Sequence, residues 1–325
     1  MGTLPTKEVV ESYFDKLSNW GRWGEEDELG TLNLITPEVR RAAVALVSEG
    51  ITVPLGSDLD PAVPDPLERG TTLQRYMMLE EGIGGSRLSG VREWIGMVPH
   101  GSHTHLDSLS HIHWDGKMYN GFPGSAVTST RGATKLSIHN VRGGVVTRGV
   151  LLDMAALRGV DWLEPGVGVF PEELEEAEER QGVRVGEGDA LMLFTGQGRR
   201  HRAQGLDPQH RTNGYTAACL PWFHDRGVAV LSSEHINDVS PSGYGTDGPV
   251  TAENFATLPP EAFNFMLPIH SVGLVAMGLW LVDNMILDEV TATCERLGRW
   301  EFLFMMAPLR LVGATGSQVN PLAVF

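Results

Sequence analysis

The sequence contains little cysteine and little basic charge. Its two cysteines, Cys219 and Cys294, lie far apart, so they form neither a CxxC site nor a disulfide scaffold. We therefore expect buried free thiols in the reducing environment of the cytoplasm. The 25 lysines and arginines face 41 aspartates and glutamates, which gives a net charge of −16. This balance argues against nucleic acid and anionic membranes as partners, because both require basic patches.

Long apolar runs are also absent. The longest, Val272–Val282, is well short of the roughly 20 residues that span a bilayer. Hydrophobic residues nevertheless make up 42% of the 325 residues, which is enough for a sizeable core in one large domain or two modest ones. The composition therefore predicts a globular protein without a membrane-spanning segment.

Strand and helix patterns alternate in the second half of the chain. DALMLFTG at 189–196 is typical of a buried strand, and GVAVLSSEH at 227–235 of another. PEELEEAEERQG at 171–182 indicates a helix with acidic residues in its first turn and a glycine at its end. Short strands interleaved with helices predict an α/β fold with mixed sheets.

The first seventy residues have a different character. Thr36 as N-cap, Pro37 at the first helical position and Gly50 beyond the end predict a helix. The proline-rich and acidic stretch at 57–72 is the best candidate for a linker. We therefore expect a helical N-terminal extension, residues 1–70, packed on a main domain, residues 71–325.

Five of the eleven histidines fall in HGSHTHLDSLSHIHW, residues 100–114. In an extended chain, side chains alternate between two faces, so His103, His105 and Asp107 project from one face. His111 and His113 follow a Ser-Leu-Ser turn that can bring them back toward the same point. The bland interpretation is a solvated polar loop, but the alternating spacing around an aspartate favours a metal site. Imidazole and carboxylate ligands suit zinc, manganese or iron.

Another enzyme class uses a similar pattern. An HxD motif with a distal histidine, here His270, is also the facial triad of non-haem Fe(II) oxygenases. Those that use 2-oxoglutarate need a basic residue for the cosubstrate, and no arginine or lysine occurs between His270 and Arg296. Their fold is all-β, whereas this chain interleaves helices. The oxygenase is kept as an alternative.

The motif THLDSLSH resembles the centre of the HxGTHxDxPxH signature of the metal-dependent cyclase-like hydrolases. That group includes bacterial kynurenine formamidase, isatin hydrolase and trans-dienelactone hydrolase. The resemblance extends over most of the chain and is closest to a longer branch of the family, through these segments in order: DELGTLNLIT, DGKMYNG, GDALMLFTG, HSVGLVAMGLWLVDN and APLRLVGATGSQVNPLAV. It implies a swivelling β/β/α fold, a divalent metal (Zn²⁺ or Mn²⁺, with Fe²⁺ also possible) and water-driven opening of a cyclic amide, an aryl formamide or a lactone.

The same resemblance implies roles for individual residues. His105 and Asp107 match signature ligands, and His111 matches the signature histidine with the general acid/base role. His270 and Asp283 match a later histidine and an acidic residue, which is more often glutamate in the family. They supply further metal ligands.

The first signature histidine falls on Gly101, so this sequence departs from the family pattern there. His103 can replace it, or His100 if one residue bulges out. Because this histidine is displaced, a metal-binding pseudoenzyme is a third alternative.

Covalent catalysis has no support in the sequence, since there is no GxSxG elbow and neither cysteine is placed as a nucleophile. A metal-activated water, with His111 moving protons, is therefore preferred. The candidate substrate-binding residues are Tyr119, Thr195, Gln197 and Glu234, the last three because they follow strands, where sites form in α/β folds. We expect a small-molecule substrate and, from the resemblance, a homodimer or homotetramer.

Overall fold

The computed structural model describes residues 2–60, 73–245 and 263–325. Within them, a nine-stranded mixed sheet forms the centre of the protein and helices pack against it. The predicted α/β fold with mixed sheets is confirmed.

The helices and strands have the following bounds. The α-helices of the described residues are α1 (Lys7–Lys16), α2 (Pro37–Val44), α3 (Met154–Arg158), α4 (Pro171–Gln181), α5 (Gln197–Gln204), α6 (Leu220–Arg226), α7 (Pro268–Val272) and α8 (Asp288–Leu297). The strands are β1 (Thr52–Pro54), β2 (Leu73–Glu80), β3 (Gly90–Met97), β4 (His105–Asp107), β5 (Val127–Thr128), β6 (Gly132–Ala133), β7 (Val145–Asp153), β8 (Gly168–Val169), β9 (Ala190–Phe194), β10 (Gly214–Tyr215), β11 (Val230–Ser233), β12 (Trp280–Asp283), β13 (Glu301–Met306), β14 (Gly316–Gln318) and β15 (Leu322–Val324).

The large sheet combines a parallel centre with antiparallel flanks. Its strand order is β1-β15-β13-β7-β9-β11-β12-β4-β14. Strands β7, β9, β11 and β12 are parallel neighbours, and the remaining pairs are antiparallel. Every residue of β9 and β11 is buried, as expected of central strands covered on both faces. This arrangement brings the carboxyl ends of β9, β11 and β12 to one edge of the sheet.

Two helices begin or end at residues that are typical of helix caps. Helix α4 begins with Pro171 and ends before Gly182, which has a left-handed backbone (φ 66°), as its sequence predicts. In α2 the Thr36 side chain accepts a hydrogen bond from the Val39 amide. That helix ends at Val44, earlier than the glycine at 50 suggested.

The N-terminal segment is hydrogen bonded to the rest of the protein. Strand β1 pairs with β15, and the Trp20 indole donates to the Val275 carbonyl oxygen at 2.7 Å. Part of the expected linker, residues 61–72, lies outside the described residues, and the predicted boundary between 70 and 71 stays a prediction.

The apolar segment around 272–282 contains a helix end, one π-helical turn (Gly273–Met277) and strand β12. In the part of the chain that the structure describes, no helix is long and apolar enough to cross a membrane. Cys219 and Cys294 are both buried and free.

Candidate metal centre

Strand β4 carries the centre of the site. It lies between β12 and β14, with His105 opposite Asp283 and Asp107 opposite Gly316. The side chains of His105 and Asp107 share a face, as period-two alternation predicts, and His105 Nε2 lies 3.6 Å from Asp107 Oδ1. Leu106, between them, points into the core. Both polar side chains are buried.

Two further elements bring a second pair of predicted ligands to the same point. His270 lies in α7 and Asp283 ends β12. His270 Nε2 is 3.3 Å from Asp283 Oδ2 and 3.5 Å from Asp107 Oδ2, and His105 Nε2 is 3.9 Å from Asp283 Oδ2. Four residues from two distant stretches of the sequence therefore direct nitrogen and oxygen atoms at one buried point.

The fifth member is His100 rather than the predicted His103. His100 Nδ1 lies 2.8 Å from Asp107 Oδ1, whereas the His103 side chain joins neither of the two ligand groups found in the described residues. The physical reason is that residues 99–103 bend instead of extending, so strand alternation begins only at His105. Gly316 leaves room for the His100 ring, because a Cβ at that position would lie 2.5 Å from His100 Cε1.

His103 contributes through its backbone instead. His105 Nδ1 lies 2.7 Å from the His103 carbonyl oxygen and donates its proton to it. On the other side, His270 Nδ1 lies 2.6 Å from Asp238 Oδ2. Because each Nδ1 donates to an acceptor, Nε2 is the ring nitrogen that each histidine presents to the site and that a metal would bind. This is how metal-binding histidines are usually oriented.

Asn237 and Asp238 are positioning residues that sequence reasoning missed. The Asp238 carboxylate also accepts from the Ile269 and His270 amides, at 2.7 and 3.2 Å. The Asn237 side chain donates to Asp283 Oδ1 at 2.7 Å, which leaves Oδ2 directed into the site. The sequence feature that could have indicated these two residues is the polar run EHIND. It follows β11, at the sheet edge where sites form in α/β folds.

The charges of the centre stabilise one another. Burial alone would raise the pKa of Asp107, but four surrounding histidines hold that pKa well below its usual value. Burial likewise opposes protonation of His270, but Asp283 and the other neighbouring carboxylates raise its pKa well above the usual value. The site is therefore strongly polarised around buried carboxylates that require a cation nearby.

The residues present fit a divalent metal. Asp107 Oδ2 is buried and has no hydrogen-bond partner, which is costly unless the oxygen binds something else. Within the described ranges, two groups have ligand atoms within 4.8 Å of one another, namely His100, His105 and Asp107, and Asp107, His270 and Asp283. Asp107 belongs to both groups. Mixed imidazole and carboxylate donors suit zinc, manganese or Fe(II).

His111 lies beside this centre. The turn from Ser108 is closed by the His111 amide, which donates to the Ser108 carbonyl oxygen at 3.0 Å. The turn stacks the His111 ring on His100, with centroids 3.7 Å apart and planes inclined by 11°. Burial lowers the pKa of His111 to about 4, so its imidazole is neutral at pH 7. His113 is exposed and belongs to neither ligand group.

Thr195, Gln197 and Glu234 lie together at the carboxyl ends of β9 and β11. The buried Glu234 carboxylate accepts from the Thr195 amide at 2.7 Å, the Thr195 hydroxyl at 2.9 Å and the Gln197 amide at 3.1 Å. Glu234 therefore holds the start of α5 in place. The Gln197 side chain contacts His201, whose ring lies 5.9 Å from that of His235.

Tyr119 is fully buried and is not a member of either ligand group. Its hydroxyl donates to Asp27 Oδ2 at 3.0 Å. Its ring lies against Gly278, where a Cβ would approach the ring to 2.5 Å. This position leaves no exposed surface for a ligand and connects the N-terminal segment to the turn before β12.

Solved structures share this fold. A crystal structure of a novel cyclase is 28% identical, covers 95% of this chain and 100% of its own, and superimposes with a TM-score of 0.80. Isatin hydrolase A from Labrenzia aggregata bound to benzyl benzoate is 21% identical, covers 86% and 94% of the two chains, and has a TM-score of 0.53. An isatin hydrolase bound to the product analogue thioisatinate is 15% identical, covers 86% and 93%, and has a TM-score of 0.55.

At the level of sequence, no curated protein matches significantly. The family described as "Putative cyclase" matches residues 42–237, which is more than half of the chain and includes the histidine cluster. The resemblance noted from the sequence is thus confirmed, and the chain belongs to the cyclase family.

Proposed function

We propose that the protein is a metal-dependent hydrolase that uses water to open a cyclic amide, an aryl formamide or a lactone. One observation carries the proposal. His105, Asp107, His270 and Asp283 converge at a buried point, and other protein groups already hold the outward-facing atoms of His105, His270 and Asp283. Such preorganisation is typical of a metal centre. Membership of the cyclase family supports the same conclusion.

The chemistry follows from the donor set and its neighbour. A divalent ion supplies Lewis-acid polarisation of a carbonyl group and a water that is acidic enough to react near neutral pH. His111 has a neutral imidazole at pH 7 and stands beside the ligands without belonging to either group. It can accept the proton of the attacking water on a ring nitrogen and pass it to the leaving nitrogen or oxygen.

The alternatives receive less support. His105, Asp107 and His270 do converge, as an Fe(II) facial triad would, but Asp283 adds a second carboxylate, and the sheet is mixed and covered by helices. The pseudoenzyme alternative depended on the displaced signature histidine. His100 reaches Asp107 in its place, so the donor set is not reduced.

Isatin is the first substrate to test within this class. It is a cyclic amide, and an isatin hydrolase bound to the product analogue thioisatinate has the same fold. Because that likeness concerns the fold alone, formanilide and dihydrocoumarin should be tested beside it as an aryl formamide and a lactone.

The experiment uses protein purified without chelator, with metal content measured by elemental analysis. The three substrates are then incubated with the protein in H₂¹⁸O, with and without oxygen. We expect oxygen-independent turnover of at least one of them, with one ¹⁸O atom in the product. The Asp107→Ala variant should stay folded and lose metal and turnover. Strict dependence on dissolved oxygen would favour the oxygenase, and full metal occupancy in the variant would remove Asp107 from the site.

A further inference from the structure

Two of the proposed metal ligands are joined by one short connection, residues 273–279. It begins where α7, which carries His270, ends, and it leads into β12, which ends at Asp283. Its first five residues form the π-helical turn (Gly273–Met277), and Gly278 then has a left-handed backbone (φ 64°). π-Helical turns are rare and occur often at functional sites. The conformation of this connection determines where His270 lies relative to Asp283.

The turn ends in a row of backbone carbonyl groups that need donors from elsewhere. The last carbonyl groups of any helix have no donor within that helix. Because the chain leaves the helix at Gly278, the carbonyl groups of residues 275–278 are in this position. All four residues are buried, and a buried carbonyl group without a hydrogen bond is costly. The connection therefore depends on the part of the protein that supplies these hydrogen bonds.

The chain just after α1 supplies three of the four carbonyl groups with donors. The Asn19 amide donates to the Ala276 carbonyl oxygen at 3.0 Å, and the Asn19 carboxamide donates to that of Met277 at 2.8 Å. The Trp20 indole donates to the Val275 carbonyl oxygen at 2.7 Å. Asn19 is itself only 4% exposed, so its two hydrogen bonds are shielded from water.

Thr31 holds the fourth carbonyl group. Its amide donates to the Gly278 carbonyl oxygen at 2.9 Å, and its hydroxyl donates to the Ala229 carbonyl oxygen at 2.7 Å, which fixes Thr31 beside the start of β11. The two backbones approach closely, because a Cβ at position 30 would lie 2.2 Å from the Gly278 oxygen. Gly30, with φ 54°, permits this approach. One loop, residues 19–31, therefore holds all four carbonyl groups, and we call it the anchoring loop.

We propose that Asn19, Trp20 and Thr31 are positioning residues of the metal centre. They keep the connection between two of its ligands in the π-helical form. A π-helical turn contains about one residue more than an α-helical turn. If the turn relaxed to the α-helical form, the His270 side chain would rotate by about 100° around the helix axis, away from the point to which Asp283 is directed. This inference rests on the metal centre of the proposed function and is independent of the substrate.

Two variants remove donors of the anchoring loop, and competition with a chromophoric chelator measures their affinity for Zn²⁺. Trp20→Phe keeps an aromatic ring and removes only the indole N–H. It should raise the dissociation constant about 5-fold, which corresponds to one ordinary hydrogen bond. Asn19→Ala removes the carboxamide donor and should raise the constant about 10-fold, as the loss of an orienting group does at other metal sites. Trp162→Phe is the matched control, because the Trp162 indole donates to Glu164 at 3.0 Å, outside the anchoring loop, and it should bind Zn²⁺ normally.

A spectroscopic measurement separates a positioning role from a merely stabilising one. Co²⁺ loaded into the metal-free protein reports the geometry of its ligands through its visible absorption. The Co²⁺ spectra of Trp20→Phe and Asn19→Ala should differ from the wild-type spectrum, and that of Trp162→Phe should not. Circular dichroism shows that each protein is folded, and Trp20→Phe alone suffices if Asn19→Ala does not fold.

Hydrogen exchange of the wild-type protein provides an independent test, because coupling between two sites is reciprocal. If the anchoring loop favours metal binding, bound metal must equally favour the docked loop. The amides of Asn19 and Thr31 should therefore exchange about 10-fold more slowly with saturating Zn²⁺ than without metal. The Gly50 amide is the control, because it donates to Phe325 at 2.8 Å and not to the connection. Its exchange should stay the same.

Several results would overturn the proposal. A folded Trp20→Phe protein with the wild-type Zn²⁺ affinity and Co²⁺ spectrum would show that the anchoring loop only stabilises the fold. Equal slowing of exchange at Asn19, Thr31 and Gly50 would show that metal stabilises the whole protein without acting on the loop. Both results would leave the metal centre intact. A wild-type protein that binds no metal would refute the metal centre itself, and the proposed function with it.

Discussion

The replacement Asp238→Asn tests whether the metal centre depends on a group outside its ligands. Asp238 lies beneath His270 and accepts three hydrogen bonds, from His270 Nδ1, the His270 amide and the Ile269 amide. An asparagine has nearly the same shape but only one accepting oxygen. If that oxygen keeps the Ile269 amide, the carboxamide NH₂ takes the place of Oδ2 and faces both the His270 amide and Nδ1. His270 must then carry its proton on Nε2. The nitrogen that faces the site then has no lone pair.

The magnitude follows from the contacts that are lost. Removing a partner that orients a metal-binding histidine typically lowers metal affinity by 10- to 100-fold, which corresponds to about 1.4–2.7 kcal/mol. A hydrogen bond to a charged group contributes about 1.5–3 kcal/mol, which is the same range. We therefore expect a dissociation constant for Zn²⁺ or Mn²⁺ that is about 10- to 100-fold higher in Asp238→Asn.

Competition with a chromophoric chelator would measure that constant in both proteins. Asp153→Asn is the matched control, since Asp153 is also a buried carboxylate that accepts from a backbone amide, that of Ala156. Asparagine is an equally good helix N-cap, so this variant should bind metal normally. An unchanged affinity in a folded Asp238→Asn protein would refute the reasoning.

Three further predictions concern histidines. His111→Ala should keep its metal but lose turnover by about 100-fold or more, whereas His105→Ala should lose metal and turnover together. Elemental analysis and hydrolysis rates at saturating metal would distinguish the two variants. Loss of metal from His111→Ala would make His111 a ligand. Competition titration should show weaker metal binding in His100→Ala. His103→Ala keeps the carbonyl that orients His105 and should bind metal normally. The reverse result would restore His103 as the metal ligand. Burial lowers the pKa of His235 to about 4, below the value of about 6.5 of an unfolded histidine, so the unfolded chain takes up the proton first as the pH falls. The free energy of unfolding of metal-free protein should therefore fall between about pH 6.5 and 4, and urea titrations should show a smaller fall in His235→Gln; an identical pH dependence would contradict the pKa.

Much of the fold could be predicted because local chemistry determines it. The proline at 171 and the glycine at 182 mark a helix whether or not the rest of the chain is known. The uninterrupted apolar run of β9 indicates a strand buried on both faces. Helix α2 ended early because tertiary packing, more than sequence signals, decides where a short helix stops.

The sequence by itself determined the core of the site. His105 and Asp107 are two residues apart, and this spacing alone places them on the same face of a strand, because successive side chains of any extended chain point to alternate faces. His270 and Asp283 came from the resemblance to the family, since no local rule relates residues so far apart.

Only the tertiary structure decided the remaining contacts. Because the backbone bends at residues 99–103, His100 rather than His103 reaches Asp107. Such a bend depends on the residues that pack around it. Asp238 orients His270 because a loop and a helix meet in space. The exposed β2–β3 hairpin was not evident from its sequence, because a continuous apolar run such as YMML at 76–79 indicates burial. Its exposure in a single chain is a property of the folded molecule, since a strand is buried only where another element covers it.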